Sequence, residues 1–165
     1  MRITPETRMQ RLVAEMTEAR SAVLQAALDL PPAAQDAVFL GVWSAHDIVA
    51  HLVGWDYANL DAIEAILAGR LPAFYAAYDA DWRTFNAELV RRHKQPSLAA
   101  TVAAAQASLQ ALLDRLAALP AGDVYRDVGL RSPRGRRVTI AMLLTADVSD
   151  VRKHADQIRS FASQL

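Results

Sequence analysis

Two histidines stand on helical stripes that are otherwise apolar. His51 is flanked by Ile48, Leu52 and Trp55, and His154 lies between Val151 and Ile158. Asp147 falls seven residues before His154 and Asp150 four before it, so both acids share its helix face. An ionised carboxylate on a buried face is costly unless it pairs, binds a metal or takes part in chemistry. Two imidazoles from facing helices plus one carboxylate form a first shell suited to Zn²⁺, Ni²⁺, Mn²⁺ or Fe²⁺. Three protein ligands leave positions open for water or substrate. The alternative is plain packing, because a histidine on an apolar stripe is often a satisfied core group and Asp–His pairs at helical spacing commonly just hydrogen-bond.

Other polar groups carry weaker signals. His46, in the first turn of its helix, is read as exposed or at the rim of the site. His93 follows Arg91 and Arg92 at a helix end, where a cation suits the dipole. Arg131, Arg134, Arg136 and Arg137 make a basic loop, read as solvated, with contact to an anionic ligand as the alternative. Trp43, Trp55, Tyr75, Tyr78 and Trp82 could line a pocket or simply fill a core.

The elements that must position these groups are helices. Apolar residues recur at helical spacing in four stretches, which predicts long helices over about residues 5–30, 44–68, 97–118 and 139–162. Thr4, Ser44, Ser97 and Thr139 are the expected N-caps, with Asp47 completing an acidic capping box on Ser44. Pro31-Pro32 ends the first helix, and the connection over 31–42 is expected to pack Val38, Phe39 and Leu40 on the bundle. A shorter helix is expected from about Ala76 to Arg92. The polar stretch from Asp123 to Arg137 is expected to be a long connection with a strand pair around Val124–Leu130. The fold expected is all-α: a four-helix bundle with substantial connections, a single domain over residues 1–165.

Composition narrows the function classes. The 165 residues are 53% hydrophobic with only 6 Gly and 7 Pro, which suits long helices. The absence of Cys excludes disulfides, thiolate catalysis by the chain and Cys-ligated zinc. Eighteen basic and eighteen acidic residues balance, so no nucleic-acid partner is expected. No apolar run reaches the roughly 20 residues of a membrane span, so no membrane partner is expected. Met1-Arg2-Ile3-Thr4-Pro5-Glu6 shows no apolar leader, and a cytoplasmic location follows as the default.

The stretch Trp43-Ser44-Ala45-His46-Asp47-Ile48-Val49-Ala50-His51-Leu52-Val53-Gly54-Trp55 resembles the tryptophan–histidine signature of the DinB-like superfamily. Asp81-Trp82 through Phe85-Asn86-Ala87-Glu88, and the helix from Ser97, look like its ClbS/DfsB branch. Val138-Thr139-Ile140 followed by Asp150-Val151-Arg152-Lys153-His154 looks like the final helix, where many members carry two histidines four apart. The resemblance implies a bundle with a crossover connection, often a homodimer, with a divalent metal on three histidines. Two of those positions fall on His51 and His154. The third falls on Asp150, a departure that alters geometry and affinity. The superfamily includes thiol-dependent transferases and isomerases, and the ClbS branch includes proteins that inactivate a reactive small-molecule genotoxin. Two functions are thus expected to compete. One is a metal-dependent enzyme, hydrolase or thiol-dependent transferase, acting on a small molecule. The other is a metal-free ClbS-type protein that binds or inactivates a reactive compound with the same polar cluster.

Overall fold

A computed structural model describes residues 3–165. Met1 and Arg2, where the segment read as lacking a leader begins, lie outside the described residues. Among the described residues eight helices follow in order: α1 (Pro5–Leu28), α2 (Pro32–Gln35), α3 (Ala45–Leu67), α4 (Phe74–Ala80), α5 (Trp82–His93), α6 (Leu98–Ala117), α7 (Ala121–Tyr125) and α8 (Ile140–Ala162). The four long ones match the four apolar stripes to within two residues at every end. The reason is local: Thr4, Ser44, Ser97 and Thr139 each accept a backbone N–H of the first turn. At Ser44 the capping box closes both ways, the Asp47 carboxylate accepting the Ser44 backbone N–H at 2.9 Å.

The long helices form an all-α four-helix bundle with a crossover connection. Helix α1 packs chiefly on α8, α3 chiefly on α6, and α3 also meets α8. Val23, Ile48, Ile63, Leu112, Leu116, Ile140, Leu144 and Ile158 are fully buried between them. Among the described residues no helix is long and apolar enough to cross a membrane.

The connections depart from the sequence expectations in three places. The helix expected over 76–92 is two helices, broken where Asp81 leaves helical geometry (φ −158°, ψ 92°) to cap α5. Its Oδ1 accepts the backbone N–H groups of Arg83 and Thr84 at 3.1 and 3.2 Å. The strand pair around Val124–Leu130 is absent. Residues 121–125 are helical, with Val124 fully buried, and a single β-bridge joins Arg131 to Arg137 instead. In the connection before α3, Phe39 stacks on Phe161 of α8 with ring centroids 4.5 Å apart, while Val38 points to solvent.

Gly54, in the middle of α3, is set by a close approach. A Cβ there would sit 2.6 Å from the Leu89 Cβ of α5. A helix-interior glycine costs about 1 kcal/mol relative to alanine, and here it lets α5 lie flush on α3. That contact holds Trp55 beside Asn86, whose Oδ1 accepts the indole N–H at 3.1 Å. Helix α5, together with α4, thereby becomes one wall of the clefts described next.

Candidate functional site

Helix α3 presents His51 and helix α8 presents Asp150 and His154 toward one another. Because α8 turns once between residues 150 and 154, both of its side chains meet the imidazole across the α3–α8 seam. The Asp150 Oδ2 lies 3.3 Å from His154 Nε2 and 3.9 Å from His51 Nε2. The two rings stand edge to face with centroids 5.5 Å apart. One ligand atom from each of the three residues falls within 4.8 Å of the others.

Burial differs sharply across the cluster. His51 is 3% exposed and His154 7%, whereas the Asp150 side chain is about half open to solvent. Burial pulls the His51 pKa down and His154 adds to that, while Asp150 opposes it, so the ring is neutral at pH 7. The two imidazoles hold the Asp150 carboxyl well below the usual carboxylate range. Trp43 and Trp55 flank His51, with ring centroids 4.7 and 6.3 Å away.

The second nitrogens of the two rings are treated differently. His154 Nδ1 donates to Gln157 Oε1 at 2.8 Å, which turns Nε2 toward Asp150 at 3.3 Å. His51 Nδ1 is buried and has no hydrogen-bond partner. Its proton therefore resides on Nε2, pointing at Asp150.

Three donors of this type fit a divalent transition ion on chemistry. Two atoms bound tetrahedrally to one ion at about 2.1 Å lie roughly 3.4 Å apart. The His154–Asp150 separation meets this; His51 has to draw in by about half an ångström toward Asp150 and by more toward His154, since the three atoms span up to 4.8 Å. The unpartnered His51 Nδ1 is the weak point. Ligation through Nε2 moves the proton to Nδ1, where a buried N–H without an acceptor costs about 1–3 kcal/mol.

Asp147, the other acid on the same face, stays out of this cluster. It faces a neighbouring cleft of about 430 Å³ lined by Trp55, Asn59, Tyr75, Tyr78 and the arginine loop. Burial, aided by the charge on Asp56, pushes its pKa up to about 7. The triad opens on a second cleft of about 970 Å³, and the two clefts share Trp55, Tyr78, Asp79, Arg134 and Asp150 as common walls.

His46 is not at the rim. It is 2% exposed, with Nε2 2.7 Å from Thr101 Oγ1 and Nδ1 3.0 Å from Asp36 Oδ1, tying α3 to α6 and to the preceding loop. His93 stacks on Tyr57 at the end of α5, away from the triad.

A second polar cluster went unnoticed in the sequence. Arg20 of α1 donates to both oxygens of Asp56 on α3 at 2.8 and 2.7 Å and to the Ala105 carbonyl at 2.6 Å. Ser108 of α6 also donates to Asp56. The signal was present: Arg20 sits four residues after Met16 and four before Leu24, and Asp56 four after Leu52. Gln157 was also passed over, because three residues from His154 on a helix it has no distinguishing spacing.

Residues 15–158 match the model of the DinB superfamily, and the chain belongs to that superfamily. No curated protein matches it. Among solved structures, it is similar to the colibactin self-resistance protein ClbS in complex with a dsDNA. That match has a TM-score of 0.76 and 13% identity over 95% of this chain and 96% of that one. An uncharacterised protein from Escherichia coli UTI89 follows with a TM-score of 0.71 and 14% identity, covering 94% of this chain and 93% of that one. At such identities the likeness shows the fold. It also corrects the exclusion of nucleic acid drawn from charge balance, since ClbS, with the same fold, is seen with dsDNA. Net charge averages over the whole surface and says nothing of a local basic edge.

Proposed function

We propose that this DinB-superfamily protein binds a divalent transition metal on His51, Asp150 and His154 and acts on a small molecule held in the cleft above them. The observation that supports this is the convergence of three ligand atoms within 4.8 Å at the floor of a large cleft. Zn²⁺, Ni²⁺, Mn²⁺ or Fe²⁺ in that position would supply a Lewis acid and ease deprotonation of a water or thiol. The chain supplies the rest. His51 is kept neutral by burial, so it needs no deprotonation to ligate. Gln157 fixes the His154 tautomer with Nε2 facing inward. Trp43 and Trp55 shield the His51 side from bulk water, and exposed Asp150 leaves the opposite side open. Asp147, with its pKa near 7, can accept or donate a proton in the adjoining cleft. Hydrolysis and thiol-dependent transfer both use such a set.

A second reading is a metal-free, ClbS-type protein in which the same groups work as acid and base on a reactive compound. It draws on the orphaned His51 Nδ1, which weakens any metal site. Elemental analysis decides between the two, using wild type beside His51→Ala and His154→Ala after incubation with Zn²⁺ or Ni²⁺. Stoichiometric metal in wild type, lost in both variants, supports the metal reading; a metal-free wild type moves the assignment to the second. Homodimer assembly, which the resemblance implies, belongs to either reading and is tested by light scattering; a cytoplasmic location is kept as the default under both. The duplex DNA seen with ClbS makes binding of a DNA duplex a measurement to run beside them.

A further inference from the structure

The smaller cleft is built differently from the triad cleft it adjoins. Its walls are aromatic: Trp55 packs edge-on against Phe74 and Tyr78, with ring centroids 5.3 and 5.7 Å apart, and Tyr75 stacks on Phe74. Its rim is basic. Arg137 is tied to Asp127 at 3.3 Å, but among the described residues Arg134 and Arg136, which also line the cleft, form no ion pair. Its floor is polar and deep. Asn59 is 3% exposed, and its Nδ2 has no hydrogen-bond partner that meets distance and angle, although the Asp147 carboxyl lies beside it. A buried amide donor left unpaired costs about 1–3 kcal/mol unless something else accepts from it.

These three layers define a ligand. Flat aromatic walls favour a planar ring system over a flexible chain. Two exposed, unpaired guanidinium groups favour an anion at the outer end, where planar carboxylate geometry suits their donors. The inner end must be neutral, because Asp147 and Asp150 also face the cleft, and it must accept a hydrogen bond from Asn59. A phenolic hydroxyl does both, since it can accept from Asn59 Nδ2 and donate to Asp147. A volume of about 430 Å³ lies in the range of small-molecule sites, roughly 300–1,000 Å³.

We infer that the cleft formed by Trp55, Tyr75, Tyr78, Asn59, Arg134 and Arg136 is the binding subsite for a planar aromatic acid, its anionic group at the arginine rim and a hydroxyl at the Asn59 floor. The inference rests on reading the joined clefts as a small-molecule site, and it names the substrate class. It does not depend on the metal, because none of these six residues is a ligand of the triad.

The probe is 6-hydroxy-2-naphthoate, with 2-naphthol as the analogue that lacks the anion, titrated against the whole chain by calorimetry. The naphthoate is expected to bind wild type at least tenfold more tightly than the naphthol. The double variant Arg134→Gln/Arg136→Gln, altered only at exposed loop positions, is expected to erase that preference while still binding the naphthol. Asn59→Leu is expected to weaken both ligands about tenfold with an unchanged or higher Tm, since a merely structural asparagine would lower Tm when removed. His51→Ala is expected to retain the naphthoate, so loss of metal and loss of ligand are read separately. No naphthoate binding at millimolar concentration overturns the inference. So does equal affinity for the two probes, or a preference that survives the arginine substitutions. Binding of duplex DNA that disappears in the arginine variant, with no naphthoate binding, assigns those arginines to nucleic acid and equally overturns it.

Discussion

Two of the buried polar groups of helix α3, His51 and Asp56, sit in clusters built on opposite plans. Asp56 is fully buried. Arg20 grips it with two hydrogen bonds and Ser108 with another, while the Ala105 carbonyl accepts a further hydrogen bond from Arg20. Only Arg20 Nε is left without a partner. Around His51 the account stays open: its Nδ1 has no partner, and the carboxylate opposite is half in solvent at the mouth of a cleft. A polar cluster closed by protein partners joins helices and specifies their register. One left open toward solvent has capacity for a ligand. Burial alone would not separate them, since Asp56 and His51 are both buried.

The largest expected effect breaks the closed cluster. Asp56→Ala leaves Arg20 charged and unpaired in the core and should cost about 3–5 kcal/mol in urea unfolding. His51→Ala, lacking a satisfied bond to lose, should cost well below that. Equal losses in the two variants would dissolve the distinction.

Next comes Asp147, which lies between the two clusters and feels Asp56, Arg20 and Asp150. Its folded pKa, raised to about 7, lies above the unfolded value of about 3.9. The folded state therefore holds the extra proton between those values, and this contribution to stability is present at low pH and lost as pH rises through about 7. Asp147→Asn should remove that loss and raise stability at pH 8 by up to about 4 kcal/mol, with little change at pH 4. A variant whose advantage is the same at both pH values would show that Asp147 does not titrate there.

Gly54 lies between His51 and Asp56 and tests whether the α5 wall belongs to the open cluster. Gly54→Ala should push Leu89 away and cost about 1–2 kcal/mol despite the better helix propensity of alanine. Trp fluorescence should shift as Trp55 loses its seat against Asn86. A neutral or stabilising Gly54→Ala would mean that α5 gives way freely. The smallest effect on stability belongs to Gln157→Ala, within about 0.5 kcal/mol of wild type. Its effect should instead appear in Zn²⁺ affinity, lowered about tenfold as the His154 tautomer is freed. Unchanged affinity would remove Gln157 from the site.

The four long helices were legible in the sequence because caps and apolar period are local properties. Thr4, Ser44, Ser97 and Thr139 act on backbone groups within a turn of themselves. His51 and His154 were legible for the same reason, as polar groups out of place on a stripe. What the stripe could not give was the partner. Asp147 and Asp150 share the His154 face, and only the direction from which α3 approaches α8 brings Asp150 into the triad and leaves Asp147 in the next cleft. His46 looked like a rim residue because the Thr101 that buries it is 55 positions away. Arg20 and Asp56 were hidden in the same manner, 36 residues apart and visible as a pair only once α1 and α3 are packed. The break at Asp81 and the helix at 121–125 were missed because a cap or a buried Val124 in a polar stretch outweighs the average pattern around it. Sequence by itself determined the four long helices and the anomalous histidines His51 and His154 on them, since those rest on contacts of four residues or fewer. Tertiary structure alone decided which anomalies face each other, because the interhelical distances that pair or separate charged groups are set by packing across the whole bundle.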